Sequence, residues 1–213
     1  MRARISPGEA TAPSRDWTRI ALRLVAATMG YNVLEAVVAL WSGARADSIA
    51  LLGFGLDSII ETMAGAVLLW RLTVELRGSG EAAIRETERR VHQFVGGTFL
   101  LLAIYVTGQA GWTLWQSAAP AESVVGMVLA AASLLVMPLV SWGKLRAARE
   151  LSSAALRAEA KETLACAYLS FTLLLGLLAN ATLGWWWADP IAALLMVPWL
   201  LREGQEGLSG GED

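Results

Sequence analysis

Apolar runs of roughly 20 residues recur along this 213-residue chain, and no other feature constrains its fold as much. Each run is about what a helix needs to cross a hydrocarbon core of about 30 Å. In that medium every backbone polar group has to be satisfied within the segment, which a helix does. Charged residues make up 17% of the chain, against about 25% in an average soluble domain, so a soluble enzyme or a disordered tail is a poor reading. One cysteine, Cys166, excludes an intramolecular disulfide, and one histidine, His92, excludes a His-rich metal cage. A net charge of −2 carries no nucleic-acid signature.

The runs predict an all-α polytopic membrane protein with helices at 18–41, 48–72, 91–115, 122–142, 155–186 and 189–201. Residues 1–17 read as a retained cytoplasmic leader, because the first run is too long for a signal-peptide core and has no small-residue cleavage pattern. Residues 18–201 then form the membrane domain and 202–213 a short cytoplasmic tail. The sixth run is the shortest: its thirteen residues rise only about 20 Å, with Pro198 inside. Of the 17 basic residues, only Arg45 falls on the far side of such a topology. Basic residues stay in the cytoplasm, so this division predicts six spans with both termini cytoplasmic, in a bacterial inner (plasma) membrane. The ten tryptophans agree, all falling near predicted helix ends, where an amphipathic ring prefers the headgroup level.

Function is sought where the lipid rule is broken, since a carboxylate in mid-membrane costs several kcal/mol and persists where it lines a cavity or pairs. Asp57 and Glu61 lie mid-span in GFGLDSIIETMAG, four residues apart and so on one helical face. Glu162 and Cys166 in AEAKETLACAYLS repeat that spacing on span five. Two such pairs can converge on one ion with three carboxylates and a sulfur, a donor set suited to a divalent metal, Zn²⁺ being the usual tetrahedral case. For Glu162, beside Lys161, an interfacial ion pair is the other reading, and for Cys166 a small buried hydrophobe. Glu35, three residues after Asn32 in span one, reads as a proton relay, as a cavity charge, or as an interhelical hydrogen-bonding group. Glu88 and His92, at the start of span three, are either a second metal pair or part of an interfacial salt-bridge network with the arginines around them.

The succession NVLEAVVALWSG, ADSIALLGFGLDSIIE, LRAEAKETLAC and GWWWADPIAALL resembles the membrane domain of the cation diffusion facilitators, six-helix exporters of Zn²⁺ and related metals. In that family each metal-binding helix carries His or Asp, three residues, then Asp. The resemblance places these motifs on Asp57 and Glu61, and on Glu162 and Cys166, shifting the donors from nitrogen and oxygen toward oxygen and sulfur. Most members continue into a cytoplasmic βαββ domain, whereas this sequence ends twelve residues after span six. It is similar in that respect to small vesicular zinc-binding membrane proteins, and a compact form lacking the C-terminal domain is expected.

The combined expectation is a proton-coupled divalent-cation exporter working by alternating access. Zn²⁺ is the first candidate substrate, with Cd²⁺, Co²⁺, Fe²⁺ and Mn²⁺ behind it, and protons are the coupling ion. Expected partners are lipids, the metal and a second copy of the chain. Gly96, Gly97, Gly108 and Gly111 of span three, and Gly126 with Ala130 of span four, either offer the small-residue contacts that such a homodimer needs, with span three at the seam, or let helices pack within one subunit. No Walker-type phosphate loop, GxSxG or paired-His site is present, so no enzymatic activity is expected. Two alternatives are a non-transporting membrane metal-binding or regulatory protein, and a proton-coupled exporter of organic cations built around Glu35 and Asp57.

Overall fold

A computed structural model describes the backbone of residues 15–76, 81–117 and 121–209. Six helices account for nearly all of it: α1 (Arg15–Ala46), α2 (Ile49–Leu76), α3 (Glu81–Gln116), α4 (Val124–Glu150), α5 (Ala154–Leu183) and α6 (Ala188–Leu208). The fold is all-α, as the apolar runs predict. Most of the helices outrun their apolar stretches. Hydropathy marks where a chain meets hydrocarbon, while intrahelical hydrogen bonding continues into water, and so α3 begins ten residues before 91 and α6 runs to Leu208 instead of ending at 201.

The helix ends have local causes. Ser123 and Ser153 cap α4 and α5, their hydroxyls accepting from the Gly126 and Leu156 N–H groups. Gly184 stops α5 in the left-handed conformation at φ 65°, which glycine adopts without a Cβ penalty, and its N–H donates to the Asn180 carbonyl at 3.0 Å. The expected extension of span five to 186 is thereby cut short. Trp185 and Trp187 lie in the turn that follows, their rings stacked 5.0 Å apart.

The helices associate chiefly as α1 with α2, α3 with α6 and α4 with α5, and α2 also touches α3, α5 and α6. A glycine contact holds α3 close to α6. A Cβ on Gly96 would lie 2.9 Å from the Gly204 carbonyl oxygen and from Gly207, so glycine is required there. This contact carries α6 past its apolar stretch and brings residues 203–207 alongside α3.

The distribution of polarity is that of a membrane bundle. Leu101, Ile104, Leu135 and Leu139 are each about 70% exposed, whereas Glu35, Asp57, Glu61, Lys144, Glu159 and Asp189 are buried. Water would favour the reverse. Four helices among the described residues are long and apolar enough to cross a membrane: Trp17–Ala46, Ile49–Arg71, Val124–Glu150 and Ala155–Leu183. The remaining two, α3 and α6, each mix an apolar stretch with a polar one.

Candidate functional site

Four groups of polar side chains stand out in the interior of the described residues. The first is a narrow cleft lined by Asp57, Glu61 and Ala64 of α2, Phe99 of α3, Glu162 of α5, and Trp199 and Glu203 of α6. Asp57 and Glu61 are 5% and 6% exposed, and the lining contains no basic residue. The structure therefore brings three of the four residues of the expected metal set, Asp57, Glu61 and Glu162, onto one cleft. Cys166 is not among its lining residues. Glu203, which hydropathy alone places in a polar tail, takes a place there. Glu203 lies past the apolar stretch of α6, and its carboxyl is pushed up to about 7 by desolvation and by the nearby Glu206 charge, with Arg202 pulling it down. Among the described residues no three His, Cys, Asp or Glu side chains stand close enough to share one ion as they are placed.

The second group adjoins the first. Lys144 of α4 is fully buried. Its Nζ donates to Glu159 Oε1 at 2.6 Å and to Thr163 Oγ1 at 2.8 Å, and Thr163 Oγ1 lies 3.0 Å from Glu61 Oε1. Neither Lys144 nor Glu159 was singled out from the sequence, where Lys144 counts as one more cytoplasmic charge. The available signal was the buried stripe of α4, Gly126, Ala130, Ser133, Met137, Ser141 and Lys144, whose spacing of three or four residues runs unbroken into the lysine.

The third group is centred on Glu35. Its carboxylate accepts from Ser58 Oγ at 2.8 Å, from Ser133 Oγ, and from Cys166 Sγ at 3.7 Å. Tyr31 Oη pairs with Ser133 Oγ at 2.7 Å. Four helices meet at this carboxylate, and the hydrogen-bonding reading of Glu35 describes its geometry. Asn32 is buried one turn away, and its Oδ1 has no partner among the described residues. Glu88 and His92 lie on α3, but their side chains fall outside the described residues.

At the opposite end of α2, Asp189 reaches across from the first turn of α6. Its carboxylate accepts from Ser48 Oγ, from the Ile49 N–H at 3.0 Å and from the Ala50 N–H at 3.4 Å. Ser48 Oγ in turn accepts from the Leu51 N–H at 3.2 Å. A carboxylate at a helix start satisfies orphan donors and complements the dipole. Here it comes from a different helix, so the cap also ties α6 to α2. Asp57 lies eight residues beyond Ile49, about 12 Å along the axis.

An all-helical membrane bundle with an acid pair on α2 facing acids of α5 and α6 defines a class, and the sequence comparison agrees with it. Residues 24–204 match the cation efflux transmembrane domain. The chain belongs to the cation efflux family and is an integral membrane protein. An uncharacterized transporter of the cyanobacterium Synechocystis sp. is 24% identical over 184 residues, covering 85% of this chain and 57% of that protein. The chain thus spans little more than half the length of that relative.

Proposed function

We propose that the protein carries divalent metal cations across the membrane, Zn²⁺ first among them, by proton-coupled alternating access. The observation that carries this reading is the cleft, where Asp57, Glu61 and Glu162 converge with Glu203 and the lining supplies no basic side chain. Carboxylates held away from water need a counter-charge, and a dication supplies two. Oxygen-rich sites suit Zn²⁺ together with harder ions such as Mn²⁺ and Fe²⁺. Only deprotonated carboxylates bind, so an arriving metal releases protons, and protons arriving from the other side compete it off. Since the donors do not stand within reach of one ion as placed, binding includes a closure of α2, α5 and α6 around it. The donor set is Asp57, Glu61 and Glu162, with Glu203 at the mouth, while the Cys166 thiol serves the Glu35 group.

In this reading the chain makes six spans with both termini in the cytoplasm of a bacterial inner membrane, and the cleft lies toward the cytoplasmic end. It works as a homodimer whose seam includes the outer face of α3, where a Cβ on Gly97, Gly108 or Gly111 would meet nothing within 4 Å. The relative's own designation as a transporter favours transport over a storage or regulatory role.

Reconstitution tests this directly. In proteoliposomes holding a trapped Zn²⁺ indicator and an acidic lumen, the protein is expected to take up Zn²⁺ in exchange for protons leaving down their gradient, and Asp57→Ala or Glu61→Ala to abolish the flux. No metal-dependent flux in the parent, or parental flux in both variants, would overturn the proposal.

A further inference from the structure

Among the described residues the metal-transport reading leaves a fully buried cation, Lys144, without a role, and the following rests on that reading. We propose that Lys144 is an affinity-setting residue, a tethered ammonium held beside Glu61 that opposes an incoming dication and keeps its binding weak enough to reverse.

The geometry is specific. The ammonium is 2.6 Å from Glu159 Oε1 and 2.8 Å from Thr163 Oγ1, and that hydroxyl is 3.0 Å from Glu61 Oε1. The ammonium therefore lies within about 6 Å of the Glu61 carboxylate, a distance at which charges in a protein interior interact strongly. Two buried carboxylates thus share one ammonium. Each keeps an oxygen, Glu61 Oε2 and Glu159 Oε2, with no hydrogen-bond partner among the described residues.

A purely stabilising ion pair is a poor account of this arrangement. Buried pairs recover their desolvation only when the remaining lone pairs are also satisfied, and here two are not. The arrangement suits a group that must be partly unsatisfied, so that a dication can engage Glu61 without first breaking a complete hydrogen-bond shell. Thr163 is the coupling element: its single proton serves either Glu61 Oε1 or the Glu159 carbonyl at 3.1 Å. Lys144 thereby acts on the ion through α5 and Glu61, as a positioning residue that need not touch the metal.

The sign of the effect distinguishes this role from a structural one. Zn²⁺ alone is titrated by calorimetry into the full chain purified in detergent, at one fixed pH. Lys144→Met is expected to bind Zn²⁺ about tenfold tighter or more, because a fixed positive charge near the ion is gone. Glu159→Gln is expected to bind it several-fold more weakly, because the ammonium then leans on Glu61 alone. The double variant Lys144→Met/Glu159→Gln replaces the pair by neutral groups of similar size, a change that buried pairs often tolerate; it too is expected to bind more tightly and is read in place of Lys144→Met if the single variant does not fold. Lys144→Arg keeps the charge and tracks the parent. Loss of a structural support would weaken binding in all of them, so a shift of Lys144→Met and Glu159→Gln in the same direction, or no shift in either, overturns the proposal. A parent that fails to bind Zn²⁺ sinks the transport reading and this inference together. A parent that binds, with Lys144 variants unchanged, sinks only the latter.

Discussion

Replacing Asp189 by alanine should destabilise the bundle more than any other single change where α6 starts against α2. The carboxylate is 1% exposed and accepts three hydrogen bonds, from the Ser48 hydroxyl and from the Ile49 and Ala50 N–H groups. Removing it strands two backbone donors at a buried helix start, each worth about 1–3 kcal/mol when left unsatisfied. It also deletes a charge opposite the helix dipole, worth up to about 2 kcal/mol in partly buried geometry. These contributions overlap, and the Ser48 oxygen still accepts from the Leu51 N–H, so a net loss of about 3–5 kcal/mol is the working figure. For a chain of this size 1 kcal/mol moves a melting midpoint by about 2–4 °C, which makes a drop on the order of 10 °C. Asp189→Asn retains an acceptor and loses the charge, and should fall by about half as much; Ser48→Ala, which removes one bond and one cap, by about 1 kcal/mol. Tryptophan emission in detergent reads the transition, with Trp185, Trp186 and Trp187 in the segment that enters α6 as reporters. An Asp189→Ala variant melting within about 2 °C of the parent, or a Ser48→Ala variant less stable than Asp189→Ala, would refute the idea that the carboxylate holds α6 to α2.

Three further outcomes are expected. Because Glu203 is pushed up to about 7, it is largely protonated and neutral below that pH and an attracting carboxylate above it, so Zn²⁺ affinity should rise with pH between about 6 and 8; Glu203→Gln should flatten this rise, and an unchanged profile would remove Glu203 from the mouth of the site. The Cys166 thiol donates to Glu35, a bond that a serine hydroxyl also makes, so Cys166→Ser should keep Zn²⁺ binding within about threefold, whereas losing a true ligand from a small shell costs far more. Gly97 and Gly108 face open space on α3, and Leu at both should shift the detergent-solubilised protein from dimer toward monomer on a size-exclusion column with light scattering; an unchanged mass would place the seam elsewhere.

What could be read from the sequence follows from what each signal measures. Hydropathy runs report burial in hydrocarbon, and they located six helices and the acids that violate the pattern, Asp57 and Glu61 above all. They are blind to a helix that continues as a polar segment, which is why Glu203 was counted with a tail; the nearby Gly204, set against Gly96, was the clue that α6 stays packed. Counting basic residues by side treats each as an interfacial charge, a reasonable average that is silent on the burial of Lys144, because the rule sees loops and not the buried stripe of α4 leading to it. The same spacing has different consequences on two helices. Four residues advance a helix by about 400°, so each i, i+4 pair is offset by about 40° and rises about 6 Å. On α2 that offset stays within the breadth of the cleft, and both acids line it. On α5 the same offset separates Glu162, on the cleft, from Cys166, which meets Glu35 where α1, α2 and α4 converge. A shared face of one helix becomes a shared site only when one neighbour covers the whole face. Because α5 packs against α4, α2 and α6 at once, adjacent turns of it serve different partners, and no periodicity within α5 alone records that division.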